Sequence, residues 1–77
     1  MIKKDKQADV LICAFRYALG RRSYITGTIV DAVMEAWDEL SIHDRLLIKH
    51  EIKEAIKAGT AGDNIDVRLW REILNHE

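Results

Sequence analysis

Val10-Leu11-Ile12-Cys13-Ala14-Phe15-Arg16-Tyr17-Ala18-Leu19 decides the fold of this chain. Arg16 is its only charged residue. At about 100° per residue, Val10, Ala14, Tyr17 and Ala18 line one helical face, and Ile12, Phe15 and Leu19 line the opposite one. Asp9 and Arg16 leave a narrow polar seam between them. An ordinary surface helix carries one apolar stripe, and a helix apolar nearly all round is buried. In a chain of 77 residues, helix 1 is therefore either the central core element or a layer between the core and a partner.

Outward from this stretch the chain reads as further helices. Helix 1 spans about residues 7–19, and Gly20 supplies the left-handed position that ends it. Arg21-Arg22-Ser23-Tyr24 forms a connector. Helix 2 starts at Thr26 or Thr28, where a hydroxyl caps the free amides, and continues to about Leu40. Ile29, Val33, Ala36, Trp37 and Leu40 share its apolar side; Asp31, Glu35, Asp38 and Glu39 share the other. The β-branched residues Ile25, Thr26, Thr28, Ile29 and Val30 lower helix propensity, so a short strand over residues 24–30 is the competing assignment. Ser41 breaks helix 2 and caps helix 3, with Asp44 three residues on, close to a capping-box arrangement but with Asp in place of the usual Glu. Ile48, Ile52, Ala55 and Ile56 form the stripe of helix 3, and Gly59 stops it. After Thr60-Ala61-Gly62, Asp63 or Asp66 caps helix 4, which turns Val67, Trp70, Ile73 and Leu74 inward with Leu69 at the margin. The expected fold is all-α: a compact bundle of three longer helices and a short fourth, one domain over residues 1–77 with residues 1–6 frayed. Trp37 and Trp70, each on an apolar side, are expected to be buried.

Twelve Lys and Arg against thirteen Asp and Glu leave a net charge of -1. Global charge thus favours neither nucleic-acid binding nor mimicry of an acidic polymer. The single cysteine excludes an internal disulfide, and proline is absent. A domain this small has marginal stability, and self-association would add buried area, so a homo-oligomer is expected. Cys13, inside an apolar run, reads as a small hydrophobe; only Arg16 nearby would favour its thiolate. The basic start is followed by no small-residue cleavage pattern, and the apolar run falls short of the roughly 20 residues that span a bilayer. A cytoplasmic protein without membrane contact is expected.

Charged residues form three constellations. Arg45, Lys49, Lys53 and Lys57 recur every four residues on helix 3, where like charges repel by a few tenths of a kcal/mol per pair. The row suits an anionic partner or is simply a solvated face. Asp31, Glu35, Asp38 and Glu39 form an acidic ridge on helix 2 without a cation in that helix. It either stands in water or meets a basic surface, including the helix-3 row of a second copy. Arg16, Arg21, Arg22 and Tyr24 cluster around the first turn, a composition typical of interface hot spots and of phosphate contacts. The plain alternative pairs Arg16 with Asp9 and leaves Arg21 and Arg22 in water.

Catalytic and metal chemistry has little to stand on. His50-Glu51 with Glu54 lacks the second histidine of a zinc-protease helix. His43 and His50 alone make no metal site, and Ser23 and Ser41 have no histidine–acid arrangement. No cofactor, metal or enzymatic activity is expected. Ala55, Gly59 and Ile65 occupy positions suited to a helix-turn-helix, but the second helix would bring Asp63, Asp66 and Glu72 towards phosphates, offset only in part by Arg68 and Arg71. Glu54 would also fill a normally apolar position.

Cys13-Ala14-Phe15-Arg16-Tyr17-Ala18-Leu19-Gly20-Arg21, followed by Tyr24, resembles a group of short phage and prophage proteins. Glu51 through Ala55, then Asp66 with Trp70, is similar to the same group. The resemblance covers most of the chain. It implies an accessory protein of a virus or mobile element, a kind that binds and blocks host machines such as CRISPR or restriction systems. The expected function is non-enzymatic binding of a host macromolecule, a protein in preference to a nucleic acid, that inhibits or regulates it, with contacts from Arg16, Arg21, Arg22, Tyr24, Lys49, Lys53 and Lys57 and a second, acidic contact ridge at Asp31, Glu35, Asp38 and Glu39. A small helix-turn-helix DNA-binding regulator is the alternative.

Overall fold

The computed structural model describes residues 3–19 and 25–76, with side chains from residue 7 onward. Among the described residues four α-helices follow one another: α1 (Lys3–Ala18), α2 (Thr26–Ala36), α3 (Ile42–Ala58) and α4 (Asn64–Leu74). A 3-10 turn, Trp37–Glu39, continues α2, and with it α2 is the third longer arm beside α1 and α3. No strand occurs among the described residues. The expected stop at Gly20 and the connector 21–24 lie outside them.

The competing strand is settled at residue 26, where α2 begins. Val30 and Val33 are 1% and 0% exposed. Burying a valine side chain is worth about 1.5–3 kcal/mol, whereas its helix-propensity deficit is at most about 0.7 kcal/mol. Packing therefore overrides the local preference. The cap differs from expectation: Ile25 stands at the N-cap with no side-chain hydrogen bond, and Thr26 is the first helical residue and fully buried. At the other end, the tightened turn brings Trp37 and Leu40 into the core.

The caps of the later helices follow their sequence signals more closely. The Ser41 hydroxyl accepts the Asp44 N–H at 3.0 Å. Gly59 ends α3 in the left-handed region at φ 76°, donating to the carbonyls of Ala55 and Ile56. The reciprocal capping box forms on α4. Asp63 Oδ1 accepts from the Ile65 and Asp66 amides at 3.1 and 3.0 Å, and Asp66 Oδ2 accepts from the Asp63 amide at 3.2 Å. Both candidate caps of α4 are thus used, one from each side, and Asp66 is buried in doing so.

The helices pack in the order α1, α2, α4, α3, with α2 against α4 the most extensive contact. The core comprises Phe15 and Ala18 of α1, Val30, Val33, Trp37 and Leu40, Ile48 and Ile52 of α3, Ala61, and Trp70 and Ile73 of α4. Trp70 and Phe15 meet edge to face at 5.5 Å and 84°, a favoured aromatic geometry. The Trp70 Nε1 is buried without a hydrogen-bond partner. Both tryptophans are buried as expected.

Helix 1 is not the central element. Only one side of α1 faces the core, through Phe15 and Ala18 with Leu11, Ile12 and Leu19 packed against them. Ala18, assigned to the other face, turns inward. Val10 and Tyr17 remain 63% and 61% exposed. Cys13 is exposed as well, not a buried hydrophobe, because helical spacing sets it beside Tyr17 on the outer side.

Candidate functional site

The basic row on α3 divides into two halves with different work. Arg45 is partly buried; its Nε donates to the Trp37 carbonyl at 2.9 Å and its terminal nitrogen to the Asp38 carbonyl at 3.1 Å. Lys49 donates to the His76 carbonyl at 2.8 Å. Both cations close off the carbonyl ends of helical segments, where the helix dipole favours positive charge. Both also stand over the Trp37 indole, at 5.9 and 5.5 Å from its centroid, and the His76 ring meets the same indole edge-on at 5.6 Å. Lys49 is therefore half-buried and engaged within the chain, against the expectation of a free surface lysine.

Lys53 and Lys57 are exposed. Ile42 and Leu46, at the start of the same helix, are 70% and 64% exposed. At helical spacing Ile42, Leu46, Lys53 and Lys57 fall within about 60° of one another, opposite the buried Ile48 and Ile52. The outer side of α3 is thus apolar at its N-terminal end and basic at its C-terminal end. The sequence reading missed the apolar half. Its signal was the four-residue step from Ile42 to Leu46, out of register with the core stripe. Ile65, 67% exposed at the start of α4, is a further outlying hydrophobe.

The remaining constellations fare differently. Asp31, Glu35, Asp38 and Glu39 are all exposed, and none of their carboxylates makes an ion pair among the described residues. Arg16 pairs with Glu51 of α3 at 3.3 Å, not with Asp9, which stands about two turns away along the same helix. Arg21, Arg22 and Tyr24 lie outside the described residues, so the first-turn cluster is represented by Arg16 alone. Beside the Arg16–Glu51 pair lies an open groove of about 360 Å³ lined also by His50, Glu54, Thr60 and Leu19. It gathers the zinc-like sequence His50-Glu51 and Glu54 on one wall, yet no group of three His, Cys, Asp or Glu among the described residues is placed to hold a metal ion. No described helix is long and apolar enough to cross a membrane.

Comparison with known proteins returned no matching family model, no curated relative and no similar solved structure.

Proposed function

We propose that this is a non-enzymatic binding protein that grips an acidic surface of another protein with the outer side of α3. The observation that carries the reading is the exposure of Ile42 and Leu46, at 70% and 64%, in line with the solvated Lys53 and Lys57. Neighbouring exposed hydrophobes mark interaction sites on soluble proteins, and a flanking cationic segment speeds encounter with an acidic partner. The likeness to short phage and prophage proteins supports an accessory role in a host cytoplasm, as an inhibitor or regulator of a host machine.

Capture from host lysate followed by direct binding of the captured protein tests this. Ile42→Ser with Leu46→Ser should weaken binding at least about tenfold, since two buried aliphatic anchors are each worth more than 1 kcal/mol. Lys53→Glu with Lys57→Glu should slow association and flatten its salt dependence. Asp31→Lys with Glu35→Lys is the matched control and should bind normally. Unchanged binding by both α3 variants overturns the proposal. So does tight binding to duplex DNA with a steep salt slope, which would make the protein a DNA-binding regulator.

A further inference from the structure

The outer side of α1 is a second exposed surface, unconnected with the α3 face. Val10, Cys13, Ala14 and Tyr17 follow one another at steps of three, one and three residues, the spacing of a helix–helix seam. Val10 and Tyr17 are 63% and 61% exposed and Cys13 is exposed too. The stripe is close to palindromic in size: a large residue at each end and two small ones, Cys13 and Ala14, in the middle. Two copies laid antiparallel, with the two-fold axis between Cys13 and Ala14, set Val10 of each against Tyr17 of the other. The small central pair lets the two backbones approach closely.

Charge selects the same arrangement. Asp9 and Arg16 are seven residues apart and so flank the stripe on one side. A two-fold axis normal to the plane of the two helices keeps that flank on the same side in both copies. Asp9 then lies about 3 Å along the helix, two residues at 1.5 Å rise, from the position opposite Arg16 of the other copy. An arginine spans that offset easily, so two symmetric Asp9–Arg16 pairs form. Asp9 is exposed, and Arg16, although it touches Glu51, keeps its side chain 52% exposed. A parallel arrangement places this flank against the uncharged Gln7–Ala14 side and gains no such pair. We infer that the occupant of the α1 face is a second copy of this chain, docked antiparallel about Cys13 and Ala14. The self-complementarity is of the isologous kind that closes into a dimer. One helix face is small beside standard interfaces, so the dimer is expected to dissociate on the order of 10–100 µM.

Sedimentation equilibrium from roughly 1 to 300 µM, bracketing that range, tests the state, and Cys13 reports the geometry. Treatment of the wild type with diamide, which takes up the two thiol hydrogens as the disulfide forms, should crosslink Cys13 to Cys13 rapidly above the dissociation constant; Cys13→Ser should not crosslink. Val10→Lys should be monomeric with its helix content retained by circular dichroism. Asp9→Arg alone and Arg16→Asp alone should each weaken association about threefold or more, and the combined swap should restore it. Lys53→Glu with Lys57→Glu should dimerise normally, which separates this face from that of α3. A wild type that stays at 8.9 kDa up to 300 µM overturns the inference. A dimer that resists Val10→Lys, or one in which Cys13 fails to crosslink, overturns it as well by placing the contact elsewhere.

Discussion

The ammonium of Lys49 on α3 holds the main-chain carbonyl of His76, 2.8 Å away and just beyond the end of α4. The same ammonium stands over the Trp37 indole, 5.5 Å from its centroid, so one side chain ties α3, the 3-10 turn and the end of α4 together. Lys49→Met keeps the apolar stem and removes the charge and its hydrogen bond. The variant should lose about 1–2 kcal/mol of stability, read as a lower urea midpoint with an unchanged slope. Lys53→Met, four residues on and solvated, should stay within about 0.5 kcal/mol. Equal midpoints for the two would show that the contact with His76 contributes nothing.

Two glycines with positive φ should answer very differently to alanine. At Gly59, φ 76°, an added Cβ meets nothing within 4 Å, so Gly59→Ala bears only the left-handed strain of about 1–2 kcal/mol. At Gly62, φ 98°, the Cβ would lie 2.8 Å from Asp66 Cβ and 2.9 Å from its Cγ. Relieving that clash means displacing the carboxylate that caps the Asp63 amide. Gly62→Ala should therefore cost clearly more than Gly59→Ala in thermal unfolding, and a smaller cost would contradict the capping-box geometry.

Trp70 should tolerate phenylalanine far better than alanine. Trp70→Ala empties the centre of the core and should cost about 3–5 kcal/mol, enough to unfold a domain of this size. Trp70→Phe leaves a smaller gap and also removes an N–H that is buried without a partner, itself a burden of about 1–3 kcal/mol. Its net loss should stay under about 2 kcal/mol by chemical denaturation. A phenylalanine variant as unstable as the alanine one would mean that the indole N–H is satisfied in solution.

The two polar helix starts offer a further comparison. Ser41→Ala removes a single acceptor at the head of α3 and should cost about 1 kcal/mol. Asp63→Ala strips the acceptor from two amides at the head of α4 and should cost more. Guanidinium titrations of the two variants side by side decide it.

These caps show where the sequence was easiest to interpret. Ser41, Gly59 and Asp63 act within a few residues of themselves, so spacing along the chain was enough to locate the ends of α3 and α4. The stripes Ile48–Ile52 and Trp70–Ile73 were equally plain, because helical periodicity is local. What periodicity could not supply was which of two apolar faces on α1 meets the core, since that depends on α2 and α4. The same limit hid the roles of Arg45 and Lys49. Their partners are main-chain carbonyls of Trp37, Asp38 and His76, which carry no side-chain signature. A regular row of four cations thus looked like one surface, although only Lys53 and Lys57 are free of such contacts in the fold. The apolar start of the α3 face was visible in the spacing of Ile42 and Leu46 but was masked by attention to charge.

The packing order α1, α2, α4, α3 places α4 between two helices that precede it in the chain. While α4 is still missing, α2 and α3 each lack their most extensive neighbour, and Phe15 has no indole to meet. The growing chain therefore cannot acquire its native core piecemeal from the N-terminus. Folding must wait until Trp70 and Ile73 have cleared the ribosome, and until then the exposed stripes of three helices depend on chaperones or on speed to avoid unproductive association.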